Sequence, residues 1–163
     1  MVAQLPIPTP DGVFLAAYSE RGLCALSFPG NSGARRSAPV PAQLRGWHAE
    51  TTAALRLALA GEAPQPLPPL DLSAGTEFQQ LVWQALRQIP LGRTWTYAQV
   101  AGAIGRPKAL RAVGSACGAN PIPVFIPCHR VVACGGRIGG FSSGLKWKRL
   151  LLSRESGSLQ LAV

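Results

Sequence analysis

The chain has 163 residues, 47% of them hydrophobic, and a formal net charge of +9. That is enough apolar material for a packed core in one good-sized domain or two small ones, so a globular protein is expected. No run of about 18 apolar residues is present to span a bilayer, and the opening MVAQLPIPTPDG lacks the basic and apolar regions of a signal peptide. We therefore expect a cytoplasmic protein with no membrane partner.

Charge divides the sequence. The residues up to Gly75 carry as many acidic as basic side chains, and the whole excess of +9 lies from Thr76 onward, where Glu77 and Glu155 are the acidic residues. A segment this lopsided points to a polyanionic partner, nucleic acid before membrane, because no basic lipid-facing helix is evident. The four cysteines, Cys24, Cys117, Cys128 and Cys134, form no CxxC pair, and His48 and His129 stand far apart. Zinc-finger and disulfide-framework spacings are both missing, so free thiols in a reducing compartment are expected, with no metal and no cofactor.

In chain order, GVFLAAYSERGLCALSF reads as two apolar strands joined by a turn at Ser19 to Gly22. The stretch PGNSGARRSAPVP reads as a mobile loop, and PAQLRGWHAETTAALRLALAG as a helix ending at Gly61. Cys24 falls in a strand and His48 in the helix, as a packed thiol and a partly exposed imidazole. GEAPQPLPPLDLSAG, Gly61 to Gly75, carries four prolines and reads as an extended, semi-rigid connector. A first domain over residues 1–70 and a second over residues 71–163 follow.

The second domain opens on TEFQQLVWQALRQIP. Thr76 and Gln79 make a capping box, and Phe78, Leu81, Val82 and Ala85 fall on one helical face. Next comes TWTYAQVAGAIGRPKALRAVGSACG. Thr96 with Gln99 caps a short helix, Gly105 ends it, and Pro107 suits the first turn of the next. Two short helices across a glycine-containing turn make a helix-turn-helix. In its second helix Leu110, Val113 and Cys117 share an apolar face, and Lys108, Arg111 and Ser115 share another that could enter a DNA groove. Asn120, before Pro121, is biased away from helix and reads as the turn toward the next segment.

That segment, PIPVFIPCHRVV, brings a thiol to the edge of a core and surrounds it with positive charge. A nearby cation or hydrogen-bonding imidazole lowers a thiol pKa, which makes Cys128 the candidate nucleophile. His129 reaches it only if Pro127 turns the backbone there, or through a bridging water. An imidazole base needs an acid to fix its tautomer. Glu155 is the better candidate, on the final helix GLKWKRLLLSRE with Lys148 and Leu152 on the same face. Cys117 and Cys134 read as structural.

The stretch from Gly75 to Glu155, with NPIP and PCHRV as its most specific signatures, closely resembles the O6-alkylguanine-DNA alkyltransferases. The resemblance implies an α+β fold: a small α/β N-terminal domain and a mainly helical C-terminal domain with a winged-helix-like helix-turn-helix. It also implies a suicide reaction in which a lesion base in double-stranded DNA is flipped out and its alkyl group passes irreversibly to Cys128. O6-alkylguanine is the substrate implied, with O4-alkylthymine left open. By likeness, His129 acts through water with Glu155 behind it, Tyr97 donates to the leaving guanine, and Arg111 fills the vacated stack. Asn120 is the hinge, Lys148 orders the site, and Ser142 with the backbone after Val131 shapes the guanine pocket. Ser115 belongs to the DNA-facing helix. Binding is expected through the minor groove without sequence preference, by a monomer.

The sequence departs from the family at Thr96, Cys117 and Phe141. Phe141 keeps a ring but loses a hydroxyl, which puts pocket selectivity in question. Three other readings remain: a non-catalytic lesion binder, a Cys-His hydrolase acting without DNA, and a regulatory DNA-binding module, for which Ala112, Gly114 and Ser115 offer few base-reading groups. The absence of a separate regulatory extension favours a stand-alone repair protein.

Overall fold

The computed structural model describes residues 2–30 and 37–156, so much of the expected loop after Pro29 lies outside the described residues. A three-stranded antiparallel meander comes first: β1 (Ala3–Thr9), β2 (Gly12–Ser19) and β3 (Gly22–Ser27), in that order in the sheet. Strand β1 is not among the strands expected from the sequence, and it carries Pro6 and Pro8. It is an edge strand, the one place where a residue without an N–H does not break a ladder. Leu5 and Ile7 on β1 meet Ala16 and Phe14 of β2 and are buried.

The proline-rich connector is strapped along the other edge. Leu23 N–H donates to the Pro69 carbonyl at 2.8 Å, and Asp71 N–H donates to the Leu23 carbonyl at 2.8 Å. Gly22 permits the approach, since a Cβ there would lie 2.1 Å from the Pro69 oxygen. Further along the same strand, Leu26 N–H donates to the Pro121 carbonyl at 2.9 Å, so β3 also holds the segment that leads to the cysteine.

Among the described residues five α-helices follow: α1 (Arg45–Leu59), α2 (Glu77–Leu86), α3 (Tyr97–Ala103), α4 (Leu110–Gly118) and α5 (Leu145–Ser156). Both expected capping boxes are formed, Thr76 with Gln79 on α2 and Thr96 with Gln99 on α3. The Trp83 indole on α2 donates to the Ala116 carbonyl at 2.8 Å and ties α2 to α4. Two details of the helix pair differ from expectation. Pro107 and Lys108 lie in the turn before α4 rather than in its first turn, and Leu110 is 46% exposed while Val113 and Cys117 are buried.

A two-residue parallel pair, β4 (Trp95–Thr96) and β5 (Val131–Val132), was too short to read from sequence. It organises the site. Tyr97 directly follows β4 and Cys128–Arg130 directly precedes β5, so this pairing sets the tyrosine and the cysteine turn side by side. An aromatic cluster braces the same region from the N-terminal sheet. Phe28 packs on Trp147 of α5 at 4.8 Å between ring centroids and on Phe141 at 6.0 Å.

Candidate active site

Pro127 turns the chain as the sequence required. Its φ of −80° and ψ of 61° are those of an inverse γ-turn, closed by Cys128 N–H donating to the Ile126 carbonyl at 2.7 Å. A single 3₁₀ turn, Cys128–Arg130, follows. The loop before it is held by Asn120: its amide donates to the Ile126 carbonyl at 2.8 Å, and its oxygen accepts from Ile122 N–H at 3.0 Å. Those bonds span Val124, which sits at φ 78°, a left-handed conformation costly for a β-branched residue. The asparagine thus fixes an otherwise unfavourable loop.

His129 is fully buried, and its Nε2 lies 2.6 Å from Glu155 Oε1 on α5. Burial, the largest influence, lowers the imidazole pKa below its ordinary 6.5, so the ring is neutral. An ionised carboxylate can only accept, so Nε2 carries the proton and Nδ1 keeps its lone pair. Among the described residues, Nδ1 is the buried side-chain nitrogen with no protein partner. It is a poised base.

Arg130 supplies what the sequence reading missed. Its guanidinium donates from Nε to Glu155 Oε2 and from Nη2 to Oε1, each at 2.9 Å, while Nη1 donates to the Ile89 carbonyl at 2.7 Å. Burial pushes the Glu155 carboxyl up, but the bonds from His129 and Arg130 outweigh it and hold it at about 2. The arginine's charge is therefore spent on Glu155. A bidentate fork on the same carboxylate was the signal available, in a segment with only two acidic residues.

Cys128 departs from expectation. It is 7% exposed, and burial drives its pKa up to about 11 despite the opposing influences of Asn120 and the Lys148 charge. The resting thiol is protonated. Lys148, itself fully buried, crosses the site on two carbonyls, Val131 at 2.6 Å and Gly140 at 3.0 Å. Burial lowers its pKa to about 8.

A cavity of about 210 Å³ opens at the thiol, lined by Tyr97, Gly114, Cys117, Gly118, Cys128, Gly140, Phe141 and Ser142. Burial raises the Tyr97 pKa, with Cys117 and Cys128 adding to the rise, so its hydroxyl is a donor. The loop passes close over that hydroxyl at Gly139, where a Cβ would come within 3.3 Å of it. Cys117, expected as a structural thiol, is a wall of this cavity. Val131 is not on its wall; the Val131 carbonyl is a Lys148 acceptor instead. Arg111 and Ser115 lie on the exposed side of α4, outside the cavity. Cys134 is exposed, and His48 bonds to the buried Tyr18 hydroxyl at 2.9 Å. Two larger surface cavities, of about 580 and 530 Å³, do not reach the thiol.

A buried thiol lining a small cavity, next in sequence to an imidazole base and near a helix-turn-helix that carries exposed Arg106, Lys108 and Arg111, fits a thiol acceptor for a group carried on a polyanion. The comparisons name that class. The family described as "6-O-methylguanine DNA methyltransferase, DNA binding domain" matches residues 77–157. The methylated-DNA–protein-cysteine methyltransferase of Methanosarcina barkeri is 38% identical over 160 residues, 94% of this chain and 97% of that protein. The bifunctional transcriptional activator/DNA repair enzyme Ada of Escherichia coli is 43% identical over 156 residues, which cover 89% of this chain but only 43% of Ada. The chain thus spans less than half of that relative. The crystal structure of Mycobacterium tuberculosis OGT in complex with DNA matches with a TM-score of 0.79 at 38% identity, over 93% of this chain and 91% of that one. The chain belongs to the methylated-DNA–protein-cysteine methyltransferase family.

Proposed function

We propose that this protein repairs DNA by moving the alkyl group of O6-alkylguanine onto its own Cys128, once per molecule. The observation that carries this reading is the His129–Glu155 contact of 2.6 Å on the residue next to Cys128, which lines a cavity. The lesion base is extruded from the duplex into that cavity, where the buried thiol waits. His129, through Nδ1 and a bridging water, takes the thiol proton as the sulfur attacks the alkyl carbon. The S–C bond forms, the C–O6 bond breaks, and its electron pair stays on the guanine ring. Tyr97 donates a hydrogen bond to that ring as charge grows on it. The proton lost by the thiol balances the one the guanine regains.

A thioether is a poor leaving group, so the acceptor is consumed. Residues 71–163 carry both DNA binding and transfer in this reading. Asn120 and Lys148 hold the loop and pocket, and Ser142 borders the base. Exposed Arg106, Lys108 and Arg111 face the phosphates, so binding through the minor groove is set by charge and shape, not by sequence. A monomer acting in the cytoplasm completes the proposal.

The test is a stoichiometry. Limiting protein is mixed with excess duplex holding one O6-methylguanine, and restored guanine is counted. The proposal expects repair that stops mole for mole with protein. Repair that continues past one event per molecule would overturn the single-use acceptor, binding without repair would make the protein a lesion recogniser, and neither binding nor repair would return Cys128 to the hydrolase class.

A further inference from the structure

Leu110 opens α4 and is 46% exposed, although its spacing with Val113 and Cys117 would carry it into the core. Its place on the helix says where it stands. Leu110, Gly114 and Cys117 follow one another at i, i+4 and i+7, so they share a row. Gly114 and Cys117 both line the Cys128 cavity. Leu110 extends that row by one turn, about 5.4 Å, toward the start of the helix. It therefore stands at the lip of the cavity and not on its wall.

Arg111 lies in the next row, with Ser115 and Gly118. The remaining exposed residues of α4 are small: Ala112, Ser115 and Gly118. Leu110 and Arg111 are thus the long side chains on an otherwise flat outer surface, and exposed Arg106 and Lys108 flank them in the preceding turn. An apolar side chain held in water at the mouth of a cavity, ringed by cations, matches the faces of stacked bases between their phosphates.

We propose that Leu110 is an apolar wedge that enters the duplex beside the extruded nucleotide, holding the lesion in the cavity together with Arg111. The inference rests on the base-extrusion reading above. The Arg111 guanidinium can stack on a base face, and Leu110 adds apolar surface next to it. A leucine gains by leaving water, and apolar wedges between base steps are a recurrent way of stabilising deformed DNA in the minor groove.

Single-turnover transfer from one O6-methylguanine oligonucleotide, duplex against single-stranded, tests the wedge, since a single strand needs no extrusion. Leu110→Ala is expected to lower the duplex-to-single-strand rate ratio about tenfold, the loss of about 1.4 kcal/mol. Leu110→Met, which keeps the apolar bulk, is expected to retain the ratio. A ratio unchanged in Leu110→Ala overturns the wedge, as does Leu110→Met falling as far as Leu110→Ala. Failure of the unaltered protein to transfer from either strand form would refute the alkyl-transfer reading, and the wedge with it.

Discussion

Glu155 holds His129 and Arg130 on one carboxylate, accepting from the imidazole at 2.6 Å and from the guanidinium twice at 2.9 Å. The two functions of this carboxylate cannot be separated. It fixes the tautomer that leaves Nδ1 basic, and it neutralises a buried cation. Glu155→Gln should therefore slow alkyl transfer by between about a hundredfold and ten-thousandfold, the range of a lost general base. It should also destabilise the fold by about 3–5 kcal/mol, because Arg130 keeps its burial and loses its partner. Single-turnover rates and urea midpoints, measured on the same preparation, check both.

Stability should fall steadily toward acid. His129 has a folded pKa below its ordinary 6.5, so the unfolded chain binds the extra proton and stability begins to drop below that pH. Glu155 moves from 4.5 to about 2, so its contribution is complete above 4.5 and is lost as pH falls through about 2. The latter contribution is on the order of 3 kcal/mol. Urea midpoints across the acid range should show a plateau above pH 6.5 and a fall that steepens between 4.5 and about 2; a rise toward acid would contradict the assignment.

The resting thiol should be inert. Burial raises Cys128 to about 11 and Cys117 to about 12, whereas Cys134 is exposed. Iodoacetamide at neutral pH should label Cys134 first and leave Cys117 and Cys128 until last, as read by peptide mass mapping. Rapid labelling of Cys128 in the absence of DNA would mean an activated thiolate and no need for the His129 base.

Asn120→Ala removes two bonds that close the Val124 loop. We expect a loss of about 2 kcal/mol in folding stability, one for each hydrogen bond, together with slower transfer, since the same loop ends on Cys128. Denaturation midpoints and transfer rates would show this. An unchanged midpoint would mean that the φ of 78° at Val124 is held by packing alone.

Much of the site was legible in sequence. The capping boxes at Thr76 and Thr96 placed two helix starts, because their reciprocal bonds depend on a fixed three-residue spacing. Lys148, Leu152 and Glu155 were legible as one face because helical period alone sets it. What escaped depends on partners distant in the chain. β1 carries Pro6 and Pro8, which only an edge position tolerates, and β4 and β5 are too short to carry a pattern. The role of Arg130 needed the position of Ile89, and the high pKa of Cys128 needed its burial. Leu110 misled for the opposite reason: its spacing was apolar, but α4 ends its contact with the core before reaching it.

The most direct test of the account is an intact-mass spectrum with peptide mapping after equimolar duplex DNA carrying one O6-methylguanine is added, alongside a Cys128→Ser control. The account predicts a single added methyl, found on the Cys128 peptide and missing from the control, with guanine restored in the DNA. An unaltered mass with the lesion intact, or a methyl on any other residue, would contradict it.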